Sequence, residues 1–338
     1  MDRGYGRRAL FVSAVSAATA PLRVWERLAY GARVRAVQLQ PPLFILGHWR
    51  SGTTYLHNLL CADPALGHVT TFQAVAPELV FAGRLVRTLF AARMPRRRMG
   101  DGVPLAPDGP QEEEMALANL SPRSFYHHWS FPRRTGEYFE RYVLFRGLAP
   151  GDLEQWQAAY LSILRKAALL AGGRRLVLKN PANTGRLRLL LQMFPDARFV
   201  HLHRDPYEVF ASTRRFYREV YAISALQDLA PAALEANILD LYRGLLGQFL
   251  ADRALVPPGR LVELPLQALR ADPLGQVQEI YARLGLPGFA GAEPGLRAAV
   301  RAAAGHRPGG AGLDAAETRR VSAAWGFACA AWGYPLRP

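Results

Sequence analysis

The chain has 338 residues, 50% of them hydrophobic and 20% charged, which excludes a mainly disordered state. A chain this long can bury roughly 75% of its unfolded surface, so its core needs no staples. Basic residues outnumber acidic ones 42 to 27, a net charge of +15 that favours anionic partners such as nucleotides, sulfated or phosphorylated substrates, nucleic acid or an acidic membrane surface.

Two cysteines, Cys61 and Cys329, are too few for a disulfide framework and point to a reducing cytoplasm. Only two of the basic residues are lysines, Lys166 and Lys179. The strong arginine bias reflects a GC-rich coding sequence, so a surviving lysine is a candidate for chemistry that arginine cannot do. Lys166 lies in L-R-K-A-A-L-L and reads as a surface residue of a helix.

Along the chain, Arg7 and Arg8 precede an apolar stretch over residues 9–22. It has the shape of a signal peptide and is too short to span a bilayer. An N-terminal helical segment over 1–40, continuing past Pro21, is the favoured reading. Residues 42–47, P-L-F-I-L-G, suit a buried parallel strand. A loop and a helix follow, stopped by Asp63-Pro64. Residues 74–93 read as one apolar helix. Residues 94–111 form a long Pro/Gly loop, and the densest basic stretch, Arg93–Arg98, runs into it.

A helix begins near Gln111 with Glu112, Glu113 and Glu114 in its first turn, where carboxylates favour the dipole. An aromatic and histidine run occupies 124–131. Helices are expected over 152–171, 184–194, 206–217 and 233–252, and strands over 175–179, 198–203 and 260–264. The remainder reads as helical. This alternation predicts an α/β fold with a P-loop-like central parallel sheet flanked by helices, a single α/β domain (41–338) with helical insertions.

Three motifs sit at the ends of predicted strands, where open parallel sheets bind ligands. The first, Gly47-His-Trp-Arg-Ser-Gly52-Thr53-Thr54, has the frame of a phosphate-binding loop. Its glycines and the amides at the helix start suit an anion. Thr53 replaces the lysine of a triphosphatase loop, and the basic residue is Arg50. A strand-to-helix turn without a ligand is the plain alternative. In the second motif, Arg204 follows a strand and Ser212 lies eight residues on, so both could reach one phosphate. Its H-R-D is not a kinase catalytic loop, because Phe210 stands where asparagine would be required. The third is L-K-N-P, with Lys179 at a strand end.

In these motifs the chain resembles the sulfotransferase superfamily, in particular its bacterial branch. P-L-F-I-L-G-H-W-R-S-G-T-T-Y-L-H is similar to that family's 5′-phosphosulfate loop. R-F-V-H-L-H-R-D-P-Y-E-V-F-A-S-T is similar to its 3′-phosphate site. D-G-V-P-L-A-P-D-G-P-Q-E-E-E-M-A-L and L-R-A-D-P-L-G-Q-V-Q-E-I-Y-A-R-L-G-L also match characteristic stretches. The resemblance implies transfer of a sulfuryl group from 3′-phosphoadenosine 5′-phosphosulfate to a hydroxyl, with no metal. It implies that Arg50, Ser51, Gly52, Thr53, Thr54 and Tyr55 hold the phosphosulfate and that Arg204 and Ser212 hold the 3′-phosphate. Lys179 matches a lysine that stabilises the transferring group. The chain departs from the family at Gln73, where related enzymes often carry a glutamate base, and at Leu266, where a tyrosine is expected.

Catalysis of such a transfer is positioning plus electrostatic stabilisation, with Arg50 and Lys179 near the bridging oxygen. Candidates for the general base are Glu113 or Glu114 and His127 or His128. Glu113 shares a helical stripe with Leu117 and Leu120 and could point inward; a solvated helix end is the alternative. Phe125, Tyr126, Trp129 and Phe131 suit either an acceptor pocket or core packing. The acceptor is expected to be a small molecule, glycan or lipid rather than nucleic acid. Peripheral membrane contact stays open, and the expected location is cytoplasmic. A P-loop kinase and an inert basic anion-binding module are the competing readings.

Overall fold

The computed structural model of the chain describes residues 5–95, 105–303 and 312–338. In chain order its elements are α1 (Gly6–Arg35), β1 (Leu43–Leu46), α2 (Thr53–Leu60), β2 (Leu66–Gly67), α3 (Thr71–Val75), α4 (Gly83–Arg93), α5 (Glu113–Leu120), α6 (Thr135–Tyr142) and α7 (Asp152–Leu170). There follow β3 (Arg175–Lys179), α8 (Leu187–Met193), β4 (Arg198–His203), α9 (Pro206–Ser224), α10 (Pro231–Asp252), β5 (Leu261–Pro265), α11 (Leu266–Ala271), α12 (Pro273–Arg283), α13 (Phe289–Ala303) and α14 (Ala315–Trp332).

Strand β1 is apolar at every position and buried at every position, as a parallel strand covered on both faces must be. The sheet order is β2-β3-β1-β4-β5 and every pairing is parallel. Ile45 stands opposite Lys179 on one side of β1, and Leu46 opposite His201 on the other. The carboxyl ends of β1, β3 and β4 therefore share one edge of the sheet. Leu43, Ile45, Val177 and Val200 of the sheet pack with Leu56 and Leu60 of α2 and Val277 and Ile280 of α12. Tyr242 and Trp325 stack at 3.7 Å, and the Trp325 indole donates to the Leu239 carbonyl.

The chain forms two compact units. The first draws on Met1–Leu39, His68–Gly173 and Arg218–Pro231; the second, which holds the sheet, on Gln40–Gly67, Arg174–Tyr217 and Ala232–Pro338. In the first unit, Glu26 of α1 is 1% exposed and accepts from Lys166 Nζ at 2.6 Å and from the Phe81 amide at 2.8 Å. Lys166 also donates to the Pro77 carbonyl at 2.7 Å. The expectation that Lys166 lies on the surface is thus corrected. Its partner is 140 residues away, so no local pattern could show that the ammonium turns inward.

Helix α1 does run past Pro21 to Arg35. The single helix expected over 74–93 is instead two. Pro77 disfavours the helical region at Ala76, which takes φ −128 and ψ 62, and α3 stops there. Gln73, at the family's glutamate position, completes a capping box with Thr70 at the start of α3. The expected 184–194 helix begins as a 3-10 turn, Pro181–Arg186, before α8, and α9 extends to Ser224 rather than 217. Strand β2 was not foreseen; two residues carry no periodicity. Arg96–Arg98 and half of the 94–111 loop, residues 96–104, lie outside the described residues. Among the described residues, no helix is long and apolar enough to cross a membrane.

Candidate active site

The loop leaving β1 adopts left-handed backbone at three of six positions: Gly47 (φ 136), Arg50 (φ 71) and Gly52 (φ 92). A Cβ at Gly47 would fall 2.4 Å from the Leu202 carbonyl oxygen, so only glycine fits against β4. The Gly47 amide donates to Thr184 Oγ1 at 2.8 Å, which fixes the loop to the segment after β3. Gly52 is the N-cap of α2. A Cβ there would fall 2.4 Å from Leu266 Cδ1, so the leucine found in place of the family's tyrosine packs on the loop's last glycine. Left-handed turns of this kind at a helix start aim amides into one concavity, an anion nest.

Cations from three separate strands meet this loop. Arg50 Nε donates to Ser212 Oγ at 2.9 Å, and Arg204 Nη1 donates to the Arg50 carbonyl at 3.1 Å. Arg204 also pairs with Glu208, one turn into α9, at 2.6 Å. Lys179, 1% exposed at the end of β3, donates from Nζ to Thr54 Oγ1 at 3.3 Å. Burial pushes the Cys61 thiol up, with the nearby Lys179 pulling the other way. Burial, and then the neighbouring Arg204 charge, lower the Arg270 guanidinium below its usual range. Like charges held this close call for an anion. Burial also raises the Tyr55 phenol against the opposing pull of Arg270.

The structure thus brings Arg50, Thr54, Lys179, Arg204 and Ser212 together as the three motifs implied. Ser51 and Thr53 are buried within the same loop. Asp205, the acid of H-R-D, is structural: it accepts from the Tyr207 amide at 2.8 Å and from Arg337 at 2.6 Å.

Sequence reasoning missed Thr184 and Arg270. Arg270 lies inside the quoted L-R-A-D-P stretch. Thr184 belongs to a buried polar patch after β3 with Asn180, Asn183 and Arg186, in which Arg186 donates to Asn183 at 3.1 Å. The density of small polar residues directly after an apolar strand was the available signal.

Glu113 and His127 belong to the first unit. Glu113 is fully buried and accepts from the Tyr160 hydroxyl at 3.0 Å, with Trp156 stacked on Tyr160. Glu114, also fully buried, accepts from Ser124 Oγ at 2.7 Å and the Phe125 amide at 2.9 Å. The solvated helix end is therefore excluded for both. His127 is half-buried and donates from Nε2 to the Ser121 carbonyl at 2.8 Å. His128 is fully buried and stacks on Phe125 at 4.3 Å; burial lowers its imidazole to about 3, so it is neutral near pH 7. Tyr126 and Trp129 stack at 4.0 Å, so half of the aromatic run packs on itself.

A family model described as "Sulfotransferase family" matches residues 41–290. The omega-hydroxy-beta-dihydromenaquinone-9 sulfotransferase Stf3 of Mycobacterium tuberculosis is 31% identical over 314 residues, covering 93% of this chain and 80% of that protein; the Mycobacterium bovis protein of that name matches equally. Among solved structures, sulfotransferase STF9 from Mycobacterium avium superposes with a TM-score of 0.70 at 21% identity, over 98% of this chain and 87% of that one. Sulfotransferase STF1 from Mycobacterium tuberculosis superposes with a TM-score of 0.64 at 23% identity, over 82% of this chain and 75% of that one. These two likenesses show the shared fold.

Proposed function

Because this chain belongs to the sulfotransferase family and is an enzyme of sulfuryl transfer, we propose that its donor is 3′-phosphoadenosine 5′-phosphosulfate. Arg50, Ser51, Gly52, Thr53, Thr54 and Tyr55 are the proposed holders of the 5′-phosphosulfate, and Arg204 and Ser212 of the 3′-phosphate. The observation that carries this reading is the bonding of Arg50 to Ser212, and of Arg204 to the Arg50 carbonyl, beside a loop with three left-handed residues. The donor supplies an activated sulfuryl group and leaves as a bisphosphate.

The chain's own residues do the rest. The loop amides and Arg50 neutralise charge on the leaving phosphate, in a geometry held before the ligand arrives. The role proposed for Lys179, at the end of β3, is to donate a proton or a hydrogen bond at the bridging oxygen. Among the four base candidates we favour Glu113, wholly buried and held by Tyr160, over His127, whose Nε2 proton is engaged by a backbone carbonyl. The acceptor class we propose is an apolar molecule ending in a hydroxyl, supported by the name of the 31% identical relative.

Calorimetry with adenosine 3′,5′-bisphosphate tests the donor site. The wild-type chain binds, and Arg204→Ala or Ser212→Ala weakens binding by roughly tenfold or more, as loss of a charge-assisted hydrogen bond should. No heat at millimolar bisphosphate would overturn the assignment.

A further inference from the structure

Large apolar side chains at the surface are unevenly distributed. Of the fourteen that are exposed among the described residues, twelve belong to the first unit and seven of those to α1. The arrangement on α1 is ordered. Leu10, Ala14, Ala17, Pro21, Val24 and Leu28 recur at helical spacing as one stripe. The neighbouring stripe, at positions 11, 15, 18, 22, 25 and 29, is also wholly apolar. Every one of these positions is exposed; Leu28 is 80% exposed, Leu10 71% and Phe11 69%.

The opposite side of α1 carries the polar contacts. Glu26 takes Lys166, Arg23 pairs with Glu78, and Tyr30 stacks on Phe81. The helix therefore turns its polar side to its own unit and its apolar side outward, the reverse of a helix built to face water. Phe81 and Glu78 lie just before α4, which sets Phe90 against Phe72 and leaves two leucines and three arginines outward. It buries no side chain, and Leu85 (72% exposed) and Leu89 stand one turn apart.

Charge identifies what covers this face. Helix α1 has six arginines and one carboxylate, the buried Glu26; α4 has three arginines and none. Arg7, Arg33 and Arg35 on α1 and Arg84 and Arg93 on α4 are exposed. A second copy of so cationic a face would repel the first, whereas anionic headgroups would attract it. From Leu10 to Leu28 the stripe runs about 27 Å along a helix that also carries Arg23, Glu26 and Arg27, the one-sided pattern of a helix that lies in an interface.

We infer that the exposed apolar and basic face of α1 and α4 docks the enzyme on a bilayer containing anionic phospholipid. Its use rests on the proposed apolar acceptor, which such a bilayer would hold; the docking itself does not.

The test is sedimentation of the full chain with vesicles of phosphatidylcholine alone or with about 30% phosphatidylglycerol. The wild-type chain sediments with the anionic vesicles. Binding falls about tenfold in phosphatidylcholine alone, and also on raising salt from about 0.1 to 0.5 M. The double variant Leu10→Glu/Leu28→Glu loses about tenfold or more while keeping its circular dichroism and its bisphosphate affinity. Should that variant misfold, Phe11→Ser/Leu22→Ser carries the same expectation. Failure of the wild type to sediment would overturn the inference. So would equal binding by a folded variant, or a wild-type dimer that the variant splits. Vesicle binding without bisphosphate binding would sink the donor assignment and leave the docking standing.

Discussion

In the second unit, cations are drawn inward and tied to one another's loops; in the first, apolar side chains are turned outward along two helices. Arg50 and Arg204 hold their places through Ser212 and a backbone carbonyl, and Lys179 is 1% exposed. On α1 and α4, arginines and leucines share an open face. The same composition, rich in arginine and aliphatics, thus serves opposite ends. What separates them is hydrogen bonding. Where strand ends and left-handed turns supply acceptors and amides, charge can be buried; where a helix offers only a smooth apolar side, charge stays in water and attracts from outside.

The largest effect that would sharpen this contrast is at Lys179. Lys179→Met keeps the packing volume and removes the charge. Steady-state kinetics should show kcat lower by about 10²–10³-fold, with bisphosphate affinity within a few-fold of wild type. Full turnover would break the claim that the second unit's buried cations act on the transferring group.

Next comes Glu26→Ala, which strands Lys166 beside a carbonyl. Urea unfolding should report a loss of about 3 kcal/mol, largely recovered in Glu26→Ala/Lys166→Met, with bisphosphate affinity untouched. A change in that affinity would show that the two units are not energetically separate.

The smallest effect is a pH dependence carried by histidines of both units, His128 in the first and His48, His201 and His203 in the second, all lowered chiefly by burial. Burial lowers His128 to about 3 and His48, despite its bond with the Trp49 carbonyl, to about 4. Both lie below the ordinary value near 6.5, so the unfolded chain takes up protons that the folded chain refuses. Their contribution is complete above about pH 6.5 and is lost as pH falls, about 2 kcal/mol each by about pH 5. His128→Phe should remove about 2 kcal/mol of the acid sensitivity near pH 5, read from thermal melts, and leave the share of the second unit's histidines; an unchanged slope would assign it elsewhere.

Much of the second unit was legible because its strands are short apolar runs ending in glycine, lysine or arginine, and β1, β3 and β4 fall within a residue or two of where those runs lie. The motifs at their ends converge for the same reason: parallel strands put their carboxyl ends on one edge. The first unit was harder. Lys166 looks solvated in its own helix, and only the distant Glu26 reverses that. Glu113 and Glu114 look like exposed first-turn acids, yet Tyr160 and Ser124, from later in the chain, complete their burial. Pro77 was a visible break within 74–93 that apolar content outweighed. The outward stripe on α1 is readable as a stripe, but its direction is set by Glu26 and Tyr30, not by its own hydrophobicity.

The placement of the two lysines has a practical corollary. One amine is buried against Thr54 at the start of α2 and the other is ion-paired at 17% side-chain exposure. The outer cations are guanidiniums, which do not acylate under the conditions that modify amines. Reagents that decorate most proteins through surface lysines will find this one nearly silent, so a single engineered lysine would be an addressable handle for a dye, a tether or a crosslinker.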